Sequence, residues 1–187
     1  MTEGPTGSVL LARHGQTDDN RPPLRFQGWT DTPLNDQGRR QAHELAAQLE
    51  GQGIVSIWSS DLIRARETAD VVAARLGLEV RPDSRLREGY RGRWEGHLFN
   101  EIAREEPELF GEWERAGADW RFPDGESLQE QLDRVSACVA DVRAAGRLPA
   151  LVVCHGGSIR VMLCQQDPRG LDAFHDFQIP NVGVFPL

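Results

Sequence analysis

Apolar and polar positions follow two different periods along this chain, and the switches between them mark out its elements. Val9 to Ala12, Ile54 to Trp58 and Leu148 to Cys154 are short, nearly continuous apolar runs, the pattern of strands buried on both faces. Between them the apolar positions recur at helical spacing. Ala42, Leu45, Ala46 and Leu49 predict a helix opened by Asn35 or Asp36 and ended at Gly51. Leu62, Ala65, Ala69, Val72 and Leu76 predict a second, capped by Ser59-Ser60-Asp61 and stopped by Gly77. Leu128, Leu132, Val135, Val139 and Val142 predict a third, running from Gly125-Glu126-Ser127 to Gly146, and a fourth starts at Ser158. Leu78 to Arg81 reads as a short strand, and Phe177 to Leu187 as two extended pieces around Asn181. Strands alternating with helices predict an α/β fold: a three-layer sandwich with a central, mostly parallel sheet and helices on both faces.

The remaining segments lack a period. Residues 1–7 predict a disordered tail, which leaves a single domain over 8–187. Asp18 to Pro33 holds Asn20, Pro22, Pro23, Gly28 and Pro33 and predicts an irregular loop over a strand end. Residues 83–123 are rich in Gly, Trp and Glu and predict a cap-like insertion with one or two short helices around Glu101 to Trp113. With 187 residues, 39% hydrophobic and 27% charged, the chain suits one globular domain with a real core. Its 29 acidic against 21 basic residues give a formal charge of -8, a field that repels nucleic acid and anionic membranes. Neither is expected as a partner. An anionic substrate would need a local arginine cluster, and the basic residues are almost all arginine. Cys138, Cys154 and Cys164 form no CxxC pair and predict core thiols, not a disulfide framework. A polar amino terminus without Lys or Arg argues against a secretory signal, so a cytoplasmic monomer or homodimer is expected.

Candidate chemistry lies where two strands stop. The first apolar run ends at Arg13-His14-Gly15 and the strongest one at His155-Gly156-Gly157. Parallel neighbours bring their carboxyl ends to one sheet edge, so the two imidazoles are predicted to face each other across one pocket. A guanidinium beside an imidazole suits a tetrahedral anion such as phosphate. Gly156-Gly157 permits close backbone approach, and the following helix offers N–H groups to an anion. Arg64, in the first turn of the second predicted helix, opposes the helix dipole, which a bound anion would explain. Arg66 faces elsewhere, and His43, His97 and His175 have no supporting context and read as surface residues. No HExxH-type pattern suggests a metal, and no cofactor is expected.

Five stretches in order, VLLARHGQTDDN, SSDLIRARETA, LREGYRGRWEG, PDGESLQEQLDRV and VVCHGGSIR, resemble the histidine phosphatase superfamily, also called phosphoglycerate mutase-like. The resemblance spans Val9 to Val184. It implies that His14 is the nucleophile that becomes a phosphohistidine, and that Arg13, Arg64 and His155 bind the phosphoryl oxygens, His155 protonated beside the dianion. It further implies that Asn20 and the backbone at Gly156 complete that pocket, that Gln27 and Gly28 bind substrate, and that Glu88 is the acid/base carboxyl. Substrate phosphate is expected to raise the pKa of Glu88. Glu95 and Glu101 are the competing carboxylates for that role. The superfamily's mutases carry an Arg after the acid Glu, a Lys eleven residues beyond it, a later Arg pair, and Thr in place of Gln27. Here those positions hold Gly89 and Phe99, and no Arg pair follows between Trp94 and Pro123. The resemblance therefore points to a metal-independent phosphatase acting on a small phosphorylated substrate: a sugar phosphate, α-ribazole phosphate or a broad range of monoesters. Arg21, Arg25, Arg91, Arg93 and Arg121, with Trp94, Trp113 and Trp120, are the residues that could read the rest of that substrate.

Overall fold

The computed structural model describes residues 8–187; the expected disordered tail lies outside the described residues. In chain order the main elements are β1 (Val9–Arg13), α1 (Asp36–Leu49), β2 (Ser56–Ser59), α2 (Ile63–Leu76) and β3 (Val80–Pro82). They continue with α3 (Phe99–Glu105), α4 (Pro107–Trp113), α5 (Leu128–Ala144), β4 (Ala150–Cys154), α6 (Gly156–Cys164) and β5 (Val184–Pro186). The strands form one sheet in the order β3-β2-β4-β1-β5. Only β5 runs antiparallel, against β1. The α/β architecture expected from the alternating pattern is the one observed.

Residue alternation along the strands divides the core in two. Val9 and Leu11 of β1 and Ala150, Val152 and Cys154 of β4 join Val135, Val139 and Ile159 of α5 and α6 on one face. Ala12, Leu151 and Val153 point the other way and pack on Leu45, Ala65 and Val72 of α1 and α2. A third cluster, around Phe26, Trp94, Phe122 and Phe174, fills the space between the loop after β1 and the 83–123 segment. Burying an apolar side chain of this size stabilises by about 1.5–3 kcal/mol, so these clusters fix where the sheet's carboxyl edge points.

Several boundaries differ from the sequence expectation, for physical reasons. The first turn of α2 is not capped by Ser59-Ser60-Asp61 alone: the Leu62 N–H donates to Ser60 Oγ (3.3 Å), but the Ile63 N–H donates to Asp31 Oδ1 (2.6 Å). That cap arrives from a loop 32 residues earlier in the chain. The last long helix begins at Gly156, directly after β4, and not at Ser158. The C-terminal segment forms one strand where two extended pieces were expected. The start of α5 does follow local rules: Ser127 Oγ accepts from the Glu130 N–H and Glu130 Oε2 accepts from the Ser127 N–H, a reciprocal cap. No helix of the described residues is long and apolar enough to cross a membrane.

Candidate active site

Arg13 and Cys154 are register partners at the ends of β1 and β4, and the His14 N–H continues the ladder to the Cys154 carbonyl (3.0 Å). The next residue of each strand is therefore a histidine beside its neighbour. The His14 and His155 rings lie with centroids 5.1 Å apart, edge to face, and both are buried. His14 Nδ1 lies 2.7 Å from the Gly15 carbonyl, which can only accept, so Nδ1 carries the proton and Nε2 keeps its lone pair. Burial, followed by the charges of Arg64, His155 and Arg13, pushes the His14 pKa well below its ordinary value. The ring is neutral near pH 7.

The turn that aims this ring is tightly packed. The Gly15 N–H donates to Thr68 Oγ1 (3.1 Å), Thr68 donates to the Arg64 carbonyl, and Asn181 Nδ2 donates to the His14 carbonyl. A Cβ on Gly15 would lie 2.5 Å from the Gly38 carbonyl oxygen, so only glycine lets the first turn of α1 approach here.

Beside His14 a cavity of about 260 Å³ opens at the sheet edge. Arg13, His14, Asn20, Gln27, Glu88 and Gly156 line its polar side; Leu24, Phe26, Phe99, Trp113 and Phe174 line the apolar side. Arg13 is anchored by Nη1 donating to the Ile179 carbonyl (2.5 Å), while its Nε is buried without a partner. Asn20 accepts from the Thr17 N–H through Oδ1 and leaves a buried, unpartnered Nδ2. Gln27 donates to Thr17 Oγ1, and Gly28 holds a left-handed conformation, φ 49°. Arg64 and His155 are not among the residues that line the cavity; the His155 ring lies against His14, and the charge of Arg64 acts on that ring. Two loop carbonyls, Thr30 and Gly28, take Arg64 Nη1 and Nη2 at 2.8 and 2.7 Å. The loop thus explains part of why a cation tolerates that helix turn. Both ring nitrogens of His155 are buried and unpartnered. Burial, then Arg64, Arg134, Arg13 and Arg91, holds its pKa well down, so the ring is neutral on its own, and the protonation expected beside a dianion would have to come with that anion.

Glu88 is the carboxylate that reaches the cavity. Burial pushes its pKa up, but the Arg91 guanidinium and hydrogen bonds from the Gly157 and Gly89 N–H groups and Gln131 outweigh it and hold it at about 2. The expected rise is thus opposed by the residues around it. Gly157 spends its helix N–H on this carboxylate, so that donor meets an anion of the protein itself and is not free for a bound one. Glu95 instead accepts from the Trp29 and Arg91 N–H groups, and Glu101 from the Leu98 N–H. Neither lines the cavity. Arg134 pins the Glu88 segment by donating to the carbonyls of Arg85, Arg87 and Glu88 while paired with Glu126. Gln131, Arg134 and Arg160, which also borders the cavity, were not singled out in the sequence. Gln131 did leave a trace: it is the polar residue three after Leu128 and four before Val135, on the buried stripe of α5.

With this geometry in place, comparison with known proteins decides the family. The sequence matches the histidine phosphatase superfamily (branch 1) over residues 9–187. The chain belongs to the histidine phosphatase superfamily. It is accordingly an enzyme of phosphomonoesters. A relative in Escherichia coli, the probable phosphoglycerate mutase GpmB, is 39% identical over 150 residues, covering 79% of this chain and 69% of the relative. The structure of mycobacterial glucosyl-3-phosphoglycerate phosphatase superposes with TM-score 0.85 at 31% identity, covering 97% of this chain and 89% of that one. An α-ribazole phosphatase from Shigella flexneri (24% identity, TM-score 0.83, 96% of this chain and 89% of that one) shares the fold.

Within this histidine phosphatase the structure sorts the remaining candidates. Arg25 and Arg91 border the cavity. Arg21, Arg93 and Arg121 do not: they pair with Asp18, Glu106 and Glu130 on exposed surface. Arg66 pairs with Asp70. Trp113 is a cavity wall, whereas Trp94 and Trp120 are core. His43 and His97 are exposed as expected, but His175 is half-buried, edge-on to Trp113 at 5.1 Å. All three cysteines are free and buried, and burial pushes the Cys138 thiol up to about 12 and Cys164 to about 11. Among the described residues no group of three or more His, Cys, Asp and Glu is arranged to hold a metal.

Proposed function

We propose that this enzyme is a metal-independent phosphomonoester hydrolase working through a phosphohistidine at His14. The observation that supports it is the pairing of a neutral His14, its Nδ1 proton held by the Gly15 carbonyl, with Glu88 on the same cavity. In the first step Nε2 attacks phosphorus, the P–N bond forms and the P–O bond to the alcohol breaks. Glu88 hands its proton to the departing oxygen. In the second step Glu88 takes a proton from water, which attacks the phosphohistidine and releases inorganic phosphate and neutral His14. Arg13, Arg64, His155, Asn20 and the backbone at Gly156 are assigned to the equatorial oxygens. A dianion there would raise the pKa of His155 and so supply an additional positive charge.

Two positions favour a phosphatase over a mutase. A Cβ on Gly89 would lie 2.5 Å from Gln131 Oε1 and 2.9 Å from Arg91 Nη1, so a mutase-type arginine there would have to displace the ends of both side chains. Phe99, where a mutase-type lysine would stand, stacks on Phe26 at 4.0 Å and forms an apolar cavity wall. The substrate's alcohol part is then assigned to the Phe26, Phe99 and Trp113 side, as a small phosphorylated metabolite hydrolysed in the cytoplasm. The mutase reading keeps one argument, the name carried by the Escherichia coli relative.

The test is phosphate release from a panel of monoesters by wild type and His14→Ala with EDTA present: p-nitrophenyl phosphate, 3-phosphoglycerate, sugar phosphates and a nucleoside monophosphate. Release that vanishes in the variant is the expected result. Isomerisation of phosphoglycerate without release would make the chain a mutase, and silence across the panel would favour a phosphate-binding module.

A further inference from the structure

Arg91 is a buried guanidinium to which the reaction above gives no task. Its side chain is 10% exposed and that of Glu88 13%, and its Nη2 lies 3.2 Å from Glu88 Oε1. Its other amino group, Nη1, is buried with no acceptor, and the guanidinium carbon sits 4.3 Å over the Phe122 ring. Glu88 is the one carboxylate within ion-pair distance of it among the described residues. Glycines make the room: a Cβ on Gly157 would come within 2.8 Å of Arg91 Nη2, and also into contact with Glu88 Oε1.

The two oxygens of Glu88 are consequently unlike. Oε1 accepts from the Gly89 N–H (2.9 Å) and Gln131 Nε2 (2.9 Å) and has Arg91 Nη2 3.2 Å away as its ion-pair partner, while among the described residues Oε2 accepts only from the Gly157 N–H (2.9 Å). With two N–H donors on its lone pairs and a guanidinium against it, Oε1 is the poorer site for a proton, so the working proton belongs on Oε2. The other charged groups acting on Glu88 are Arg13 from β1, Arg64 from α2 and Arg160 from α6, with Arg134 on its backbone carbonyl. Arg13 and Arg64 are the residues assigned to the phosphoryl group, whose negative charge offsets theirs. The charge of Arg91 stays opposite the carboxyl throughout.

We infer that Arg91 is a positioning residue: its ion pair with Glu88 selects the carboxyl oxygen that meets the leaving group and sets the pH range in which that carboxyl acts as an acid. This rests on the proposed acid role of Glu88. A cation beside the carboxyl favours its ionised form, so removing the charge must extend the acid's range to higher pH. Orientation and charge separate in two variants. Arg91→Gln removes the charge, and Arg91→Lys keeps it but loses the planar fork.

The experiment is kcat against pH for glycerol 3-phosphate, whose alkoxide must be protonated, and for p-nitrophenyl phosphate, whose leaving group needs no proton. In Arg91→Gln the alkaline limb for glycerol 3-phosphate should move up by about one pH unit. In Arg91→Lys it should stay within a few tenths of wild type while kcat falls, and p-nitrophenyl phosphate should show no displaced limb in either. Circular dichroism checks that both variants are folded. An even loss of kcat at every pH and for both esters in Arg91→Gln would make Arg91 merely structural and overturn the inference. So would identical limbs in the Lys and Gln variants, or, if the Gln variant misfolds, an alkaline limb in Arg91→Lys displaced from that of wild type or a kcat in Arg91→Lys equal to it. A glycerol 3-phosphate limb that survives in Glu88→Gln would remove the acid role of Glu88, and this inference with it. Absence of phosphate release by wild type would instead strike the hydrolase reading.

Discussion

His14 has to meet phosphorus with a lone pair on Nε2, and two separate features supply it: the Gly15 carbonyl fixes the tautomer, and burial among cations keeps the ring unprotonated. Glu88 has the opposite need, a proton, in surroundings that hold its pKa at about 2. Its acid function therefore depends on charge brought by the substrate, which raises a neighbouring carboxyl's pKa. An ester that departs easily should not feel this dependence. Glu88→Gln is expected to slow glycerol 3-phosphate hydrolysis by about 10²–10⁴-fold and p-nitrophenyl phosphate far less, as measured by kcat/KM. Equal slowing of both would remove Glu88 from the acid role. At this scale the sequence was informative about identities and silent about states. Arg13, His14, Glu88 and His155 could be picked out by motif, but the neutrality of His155 and the burdened Oε1 of Glu88 come from partners far apart in the chain.

At the scale of elements, β1, β4 and α5 were legible because what defines them is local: an apolar run, or a helical stripe opened by a reciprocal cap. The pairing of β1 with β4 followed from parallel topology, and with it the meeting of His14 and His155. The start of α2 was not legible, because the cap on Ile63 comes from Asp31. The start of α6 was misplaced by two residues for a related reason: Gly156 and Gly157 read as a loop until the Gly157 N–H is seen bound to Glu88. That contact makes the first turn of α6 a mould for the carboxylate. Gly157→Ala places a methyl where Glu88 Oε1 and Arg91 Nη2 now sit, without requiring a left-handed backbone. A displacement of that order should lower kcat for alkyl phosphates by about 100-fold. The melting temperature should change little. A fully active Gly157→Ala enzyme would show that Glu88 tolerates a different position, and the mould argument would fail.

On the scale of the whole molecule, a protein with formal charge -8 gathers Arg13, Arg64, Arg91 and Arg134 around two buried histidines. The cost of that arrangement appears on acidification. In the unfolded chain both histidines titrate near pH 6.5, while burial and the arginines keep His14 and His155 neutral in the folded state far below that. Between those limits the unfolded chain binds two more protons than the folded one, so stability falls as pH falls, by about 3 kcal/mol per pH unit for the pair. Glu88 adds to the loss lower down: held at about 2 against 4.5 when unfolded, it stabilises above pH 4.5 and loses that contribution as pH drops toward 2. Melting temperature should therefore decline from pH 6.5, well above the ordinary carboxylate range. His14→Gln should remove about half the slope between pH 6.5 and 5, because one of the two titrating rings is gone. Inorganic phosphate should flatten what is left, since an anion beside His155 allows that ring to accept its proton while folded. A melting temperature level from pH 7 to 5 would mean that the folded and unfolded chains take up the same protons over that range, so the two rings would titrate near their ordinary value in the folded enzyme and the buried, neutral pair would be disproved.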